Sequence, residues 1–444
     1  MMNTNPTRQP TADVFSLDYE GRGVARNQGK TVFIKGALPG ETVAYRLITE
    51  KKQFDEAQAT AILRPSPQRV TPECRYFETC GGCVLQHIEP AAQVALKQRI
   101  WEEQLQRIGK VRPQQILPPI YGTPKHYRDR TRLSVGTDRQ GLPVLGFRAK
   151  RSHQIVDIAE CLVLPESVSA VLPDVKKLLR RFAEAGGKAS SVEFYRTDEI
   201  TVFNLIVEQR PSEKGLSVLK RWFDETLSRR PECWQIWLQQ GKAAAQAFYP
   251  AERPMLAYEL AEFGIRMPYR PGDFTQINAD INQIMVGRAL RWLDIQAGEK
   301  VADLFCGLGN FTLPMAKSGA EVVGMEGSGV LVQRAEQNAA ANGCSNVRFQ
   351  TADLFETTPQ SLAAWGRFDK MLLDPPRSGA YAVVQALHEP YLPQKIVYVS
   401  CNPATFARDA AVLVEKGYVF RAAGIMNMFA QTAHVESMGI FERA

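Results

Sequence analysis

The chain has 444 residues, 45% of them hydrophobic and 23% charged, enough to bury a large core in two or three domains. No apolar run approaches the length that spans a membrane, and the polar stretch Met1 to Thr11 has no signal-peptide core, so a cytoplasmic protein without a membrane partner is expected. The net charge of +7 is local: ten Lys or Arg against two Asp between Lys110 and Ile155 leave the rest of the chain close to neutral, which fits a polyanion such as nucleic acid better than a plain solvated surface.

In chain order, residues 12 to 65 form a small β unit. Thr31 to Lys35, Thr42 to Ile48 and Ala57 to Leu63 are strand-like, with Leu38-Pro39-Gly40 as a turn. About five such strands make a small barrel of the OB type, which often binds single-stranded nucleic acid. Pro65, Pro67 and Pro72 mark a linker. The spacing predicts a helix over 90–108, then hairpins alternating with helices such as Val171 to Ala185. After Phe263 the pattern changes to a helix over 281–293 and β/α alternation. Its strands are Val301–Leu304, Glu321–Met325, Asn346–Gln350, Lys370–Leu373 and Ile396–Val399. Val419–Ile425 and Val435–Phe441 can close the sheet as an antiparallel hairpin. The expected class is α/β, a doubly wound Rossmann-like sheet behind two smaller units. Boundaries fall at 1–68, 69–265 and 266–444.

Cys74, Cys80 and Cys83 stand as C-x5-C-x2-C, and Cys161 is the next cysteine. Gly81-Gly82 lets the backbone fold tightly enough for thiolates to converge. Four thiolates bind either zinc or an iron–sulfur cluster. The paired C-x2–4-C hooks common for zinc are absent, and so is the C-x3-C-x2-C of radical chemistry, so a closed structural cluster is favoured. Eight cysteines in a reducing compartment argue against a disulfide framework. Cys306 and Cys344 read as core fillers, and Cys233, beside Trp234, as packing. Arg128, Arg130 and Arg132 alternate along a strand, which predicts one basic face.

The carboxyl ends of parallel strands are where ligands sit in an open α/β sheet. Asp303-Leu304-Phe305-Cys306-Gly307-Leu308-Gly309-Asn310 brings two glycines to such an end, allowing close approach of a ligand, but lacks the dinucleotide fingerprint G-x-G-x-x-G. Glu326, after the next strand, is placed to bind ribose hydroxyls, and Asp353, after the third, to accept from an adenine amino group. An adenosine without phosphates fits best, and S-adenosylmethionine is that molecule. Asp374-Pro375-Pro376-Arg377 is a rigid strand exit that aims Asp374 into a cleft. It also resembles the D-P-P-Y exit of amino-group methyltransferases. Cys401, in Val399-Ser400-Cys401-Asn402-Pro403, follows a further buried strand and is a candidate nucleophile.

Together these stretches, with Asp273-Phe274-Thr275-Gln276-Ile277-Asn278, Ser400 to Asp409 and His434-Val435-Glu436, resemble the RNA uracil-5 methyltransferase family over most of the chain. The N-terminal unit resembles a TRAM domain, and the cysteine spacing the family's [4Fe–4S] site. A chain with both resembles the 23S ribosomal RNA branch. The resemblance implies that Cys401 attacks carbon 6 of a flipped uridine, that Glu436 then removes the proton from carbon 5, and that Asp374 holds the uracil edge. It implies that Gln276, Phe305 and Asn310, with Glu326, Asp353 and Asp374, contact the cofactor, and that Cys74, Cys80, Cys83 and Cys161 hold the cluster. His434 fits a structural hydrogen bond better than proton transfer. No obligate protein partner is evident, and a monomer is expected. Three other readings stay open: an adenine amino-group methyltransferase, a tRNA rather than ribosomal substrate, and a non-catalytic RNA-binding protein.

Overall fold

Buried and partly exposed residues alternate along Lys30–Lys35 and the start of Phe54–Arg64, so one face of the N-terminal sheet turns inward. Six strands lie in the order Thr11–Asp13, Thr42–Glu50, Phe54–Arg64, Lys30–Lys35, Gly23–Asn27 and Ser16–Leu17. Val32, Ile34, Val43, Tyr45 and Ala57 form their core. The three strands not foreseen are two to five residues long, too short to carry a pattern. The proline linker is fastened to this unit. Fully buried Glu41 accepts from the N–H groups of Leu38 (2.8 Å) and Ser66 (3.2 Å) and from the Arg69 guanidinium (2.8 Å). This computed structural model describes residues 9–443. Residues 1–8, on which most of the signal-peptide expectation rests, lie outside the described residues, as does Ala444.

The middle of the chain builds a seven-stranded sheet in the order Ile155–Asp157, Pro143–Arg148, Arg130–Thr137, Ala189–Arg196, Thr201–Val207, Trp234–Gln240 and Gln246–Tyr249. One face is covered by helix Glu166–Glu184, which buries Val168, Val171, Leu172, Val175, Leu178, Leu179 and Phe182, the i, i+3, i+4, i+7 stripe of an amphipathic helix. Helix Glu213–Trp222 lies beside it.

The last unit begins with helix Ala279–Leu293, capped by the Asn278 side chain. Its strands are β1 (Lys300–Leu304), β2 (Glu321–Glu326), β3 (Val347–Thr351), β4 (Lys370–Leu373), β5 (Lys395–Ser400), β6 (Tyr418–Met426) and β7 (Glu436–Arg443). They lie in the order β3-β2-β1-β4-β5-β7-β6, with the short strand Gln115–Ile116 beside β6. The first five are parallel, and β7 runs antiparallel between β5 and β6. β1 and β4 are buried almost throughout, as strands with both faces covered must be.

Helix Pro90–Gln104 carries the cysteine-bearing segment onto this unit. Trp101 is fully buried and stacks on Phe406 at 6.3 Å. The predicted end at 108 is replaced by a wide turn, Leu105–Gly109, pressed against helix Pro403–Glu415. A Cβ on Gly109 would meet the Ala407 carbonyl at 2.3 Å, so the close approach requires glycine there. No helix among the described residues is long and apolar enough to cross a membrane.

Candidate active site

Parallel β1, β2, β4 and β5 end on one rim, and antiparallel β7 begins there. Ser400 pairs with Ser437, so one step further along the register Cys401 stands beside Glu436. β4 delivers Asp374 to the same edge, its N–H donating to the Leu304 carbonyl at 3.3 Å. Asn402 caps the helix after Cys401 by accepting from Ala404 N–H (3.0 Å), and its amide donates to the Arg377 carbonyl (3.0 Å). The two strand exits are thereby tied together.

The electrostatics follow from burial. Glu436 is 9% exposed. Burial, then the charge of Asp374, pushes its carboxyl up to about 8, against the pull of Arg377 and Lys97. Burial alone pushes Asp374 up to about 7. Burial, then Glu436 and Asp374, pushes the Cys401 thiol up to about 12, with Arg377 opposing. Both carboxylates thus oppose the thiolate form of Cys401, and Arg377 favours it. Arg377 donates to His434 Nδ1 at 2.8 Å, and the ring packs against Phe429. Burial and Arg377 push His434 down to about 4, so it is a neutral acceptor with a structural bond, as the sequence favoured.

The glycine turn after β1 starts with Phe305 at φ +65°, a left-handed conformation rare for a non-glycine residue and kept where the surroundings enforce it. Beyond its own chain neighbours, nothing lies within 4 Å of where a Gly307 Cβ would project, at φ +54°, so the backbone there is open to a ligand. Glu326 spans the turn: Oε2 accepts from Gly307 N–H (3.2 Å) and Oε1 from Ser328 N–H (3.0 Å). Each oxygen keeps a lone pair for a further donor. Asp353 accepts from Phe355 N–H at 3.0 Å. The Phe355 ring, 52% exposed, lies 5.6 Å from that of Phe305.

Asn310 exchanges hydrogen bonds with Asn282 (3.0 Å each way) and accepts from Tyr258 (2.9 Å), so three of its four hydrogen-bonding positions are used in bracing the turn. Gln276 lines a cleft of about 360 Å³ with Tyr258, Asn282, Asp129 and Arg196. The arginine row is corrected. Arg128 precedes the strand, which starts at Arg130, and lines a large groove, while Arg130 lines the smaller cleft. Arg132 faces Glu193 at 3.7 Å. They form no single basic face.

The large groove, about 1420 Å³, runs from Cys401 past Arg377, Arg128, Arg148 and Lys150 to Lys35 and Tyr19 of the N-terminal unit. Its floor includes Gly81 and Gly82. Gly81 is needed for close approach and not for its turn angle: its N–H donates to the Arg148 carbonyl at 2.9 Å, which a Cβ would also meet at 2.9 Å. Cys74, Cys80, Cys83 and Cys161 are free, half-buried thiols. They are near enough to raise one another: after burial, Cys80 and Cys74 hold Cys83 up to about 11, and Cys83 and Cys74 hold Cys161 up to about 12. Among the described residues, no three His, Cys, Asp or Glu side chains converge on a single-ion position.

A family model described as tRNA (uracil-5-)-methyltransferase matches residues 115–444, and a TRAM domain model matches 11–60. The chain belongs to the uracil-5 methyltransferase family. It is 58% identical, over 98% of its own length and 96% of the relative's, to a Neisseria lactamica protein named 23S rRNA (uracil(1939)-C(5))-methyltransferase RlmD. It is 48% identical to the protein of that name from Thiobacillus denitrificans, over 98% and 100%. Its fold is similar to that of Pyrococcus abyssi tRNA (uracil-54, C5)-methyltransferase, solved with S-adenosyl-L-homocysteine: TM-score 0.73, 22% identity, 97% of this chain and 100% of that one.

Three residues near these strand ends and the loop before β7 were not singled out from the sequence. Phe355 directly follows Asp353-Leu354 and was visible as an aromatic beside a candidate adenine ligand. Asp303, within the quoted motif, is fully buried, accepts from the Thr312 hydroxyl, and has no partner on Oδ1. Lys97 lies in a helix that looks ordinary in sequence, and nothing local marks it as buried.

Proposed function

We propose that this protein methylates carbon 5 of a uridine in 23S ribosomal RNA, using S-adenosylmethionine, in the cytoplasm. The observation that carries the reading is one rim holding the Cys401 thiol beside the buried Glu436 carboxylate, with Asp374 delivered to the same edge. The names of the full-length relatives support the ribosomal substrate. Cys401 gives up its thiol proton to solvent in the open groove and adds through Sγ to carbon 6, which makes carbon 5 enolate-like, while Asp374 holds the uracil edge where charge develops. S-adenosylmethionine, when bound, supplies the methyl group to carbon 5 from its sulfonium. Glu436 then takes the proton from carbon 5, the S–C6 bond breaks, and the 5,6 double bond is restored. The adenosine part is assigned to Glu326, Asp353, Phe305 and Phe355, with Gln276 and Asn310 around the turn. The open backbone at Gly307 and the lone pairs on Glu326 suit it. The target base leaves its stack to reach Cys401. Residues 1–68 and 69–265 are assigned to holding RNA and 266–444 to the chemistry.

The test uses RNA carrying 5-fluorouridine, because fluorine cannot leave carbon 5 as a cation and the adduct stalls. The expected result is a denaturation-resistant complex that maps to the Cys401 peptide. No complex, or one at another residue, overturns the mechanism.

A [4Fe–4S] cluster on Cys74, Cys80, Cys83 and Cys161 is part of the same reading. Four soft, unbridged thiols around a glycine-lined approach suit it, and its place is structural, linking 74–83 to the strand exit at 161. Anaerobically purified protein is expected to be brown with about four irons per chain. Cys83→Ser is expected to lose that iron and to melt earlier. One zinc per chain would contradict the assignment.

A further inference from the structure

We propose that Lys97 is a positioning residue for proton removal, holding the loop 427–435 and the Glu436 that follows it against the rim. The proposal rests on reading Glu436 as the base. Lys97 is 1% exposed, and lysine is among the residues least often fully buried unless paired. It donates to Asn427 Oδ1 at 2.7 Å and to the Phe429 carbonyl at 2.9 Å. Both acceptors are in the loop between β6 and β7, more than 300 residues away in the chain.

The same segment grips that loop elsewhere. Val84 and Leu85 N–H donate to the Gln431 carbonyl (2.9 and 3.1 Å). The Gln93 amide donates to Gln431 Oε1 (2.9 Å) and accepts from Gln431 N–H (3.1 Å). Gln431 stands at φ +65°, a conformation its surroundings must impose. Tyr127 holds the far side, donating to the Ala430 carbonyl at 2.7 Å. The loop that leads into Glu436 is thus shaped by the stretch that follows Cys83.

The charges acting on Glu436 are Asp374 and Arg377 from the β4 exit and Lys97 from its helix, with the Cys401 thiol beside it. Arg377 is exposed and bonded to His434. Lys97 is fully buried, and burial pushes its ammonium down to about 7, with Glu436 opposing; no direct ion pair joins the two. When charged it favours the ionised form of Glu436, and its two bonds to the loop fix where that carboxylate sits.

The experiment compares wild type, Lys97→Met and Lys97→Arg on a 23S ribosomal fragment transcribed with 5-tritiated uridine. Lys97→Met is expected to lower kcat about 10²-fold, the scale of a misplaced catalytic group, with KM for RNA unchanged. It should accumulate the covalent Cys401–RNA adduct on ordinary uridine and move the acidic limb of the pH profile upward. Lys97→Arg should restore much of the rate. An unchanged kcat overturns the proposal, as does a loss without adduct and with an unmoved limb, which a merely structural lysine would give. If Lys97→Met does not fold, Asn427→Ala removes the contact from the loop side and carries the same expectations for adduct and limb. Wild-type tritium release in the same assay separates the two claims: its absence would sink the uracil reading itself.

Discussion

Cys401→Ala is expected to lower methyl transfer by about 10⁴-fold or more, the scale seen when a covalent nucleophile is removed, while RNA binding persists. The groove's cationic wall of Arg128, Arg148 and Lys150 is untouched by the change. Cys401 is half-buried, so removing the thiol leaves only a small void. Single-turnover transfer of labelled methyl into a ribosomal fragment, with a binding isotherm alongside, separates the two effects. Full activity in the variant would revive the amino-group reading, which has no use for a thiol. Lost binding would instead place Cys401 in recognition.

Glu436→Gln is expected to divide the reaction in two. Addition and methylation proceed, but carbon 5 keeps its proton, so product release falls by about 10²- to 10⁴-fold, the range of general-base contributions. The methylated RNA should stay joined to Cys401 and resist denaturation. The pH dependence adds a second readout. A base must be ionised, and burial with Asp374 raises Glu436 to about 8. Turnover in wild type should therefore rise with pH through that region and be lost below it, and Glu436→Gln should lack this limb. Rapid turnover without adduct would assign proton removal elsewhere, with Asp374, at about 7, the next carboxylate at the rim.

Much of the catalytic half was legible because buried parallel strands are written as apolar runs. Val301–Leu304 and Lys370–Leu373 are largely such runs, followed by the glycine turn from Phe305 and by Asp374, which the sheet brings to one edge. Glu436 was legible for the same reason, once its strand was taken as antiparallel to that of Cys401. Lys97 was not. Its partners Asn427 and Phe429 are distant in the chain, and no local pattern separates a buried lysine from a solvated one. The arginine row misled because alternation gives a shared face only within a strand, and Arg128 lies before it begins. The bracing of Asn310 by Tyr258 and Asn282 was not legible, because both reach it from other elements.

The most direct measurement is tritium release from RNA transcribed with 5-tritiated uridine, comparing a 23S ribosomal fragment with a tRNA in the presence and absence of S-adenosylmethionine. The expected result is cofactor-dependent release from the ribosomal fragment alone, one tritium per methyl gained. Methyl incorporation without release would contradict substitution at carbon 5, and release only from tRNA would contradict the ribosomal substrate.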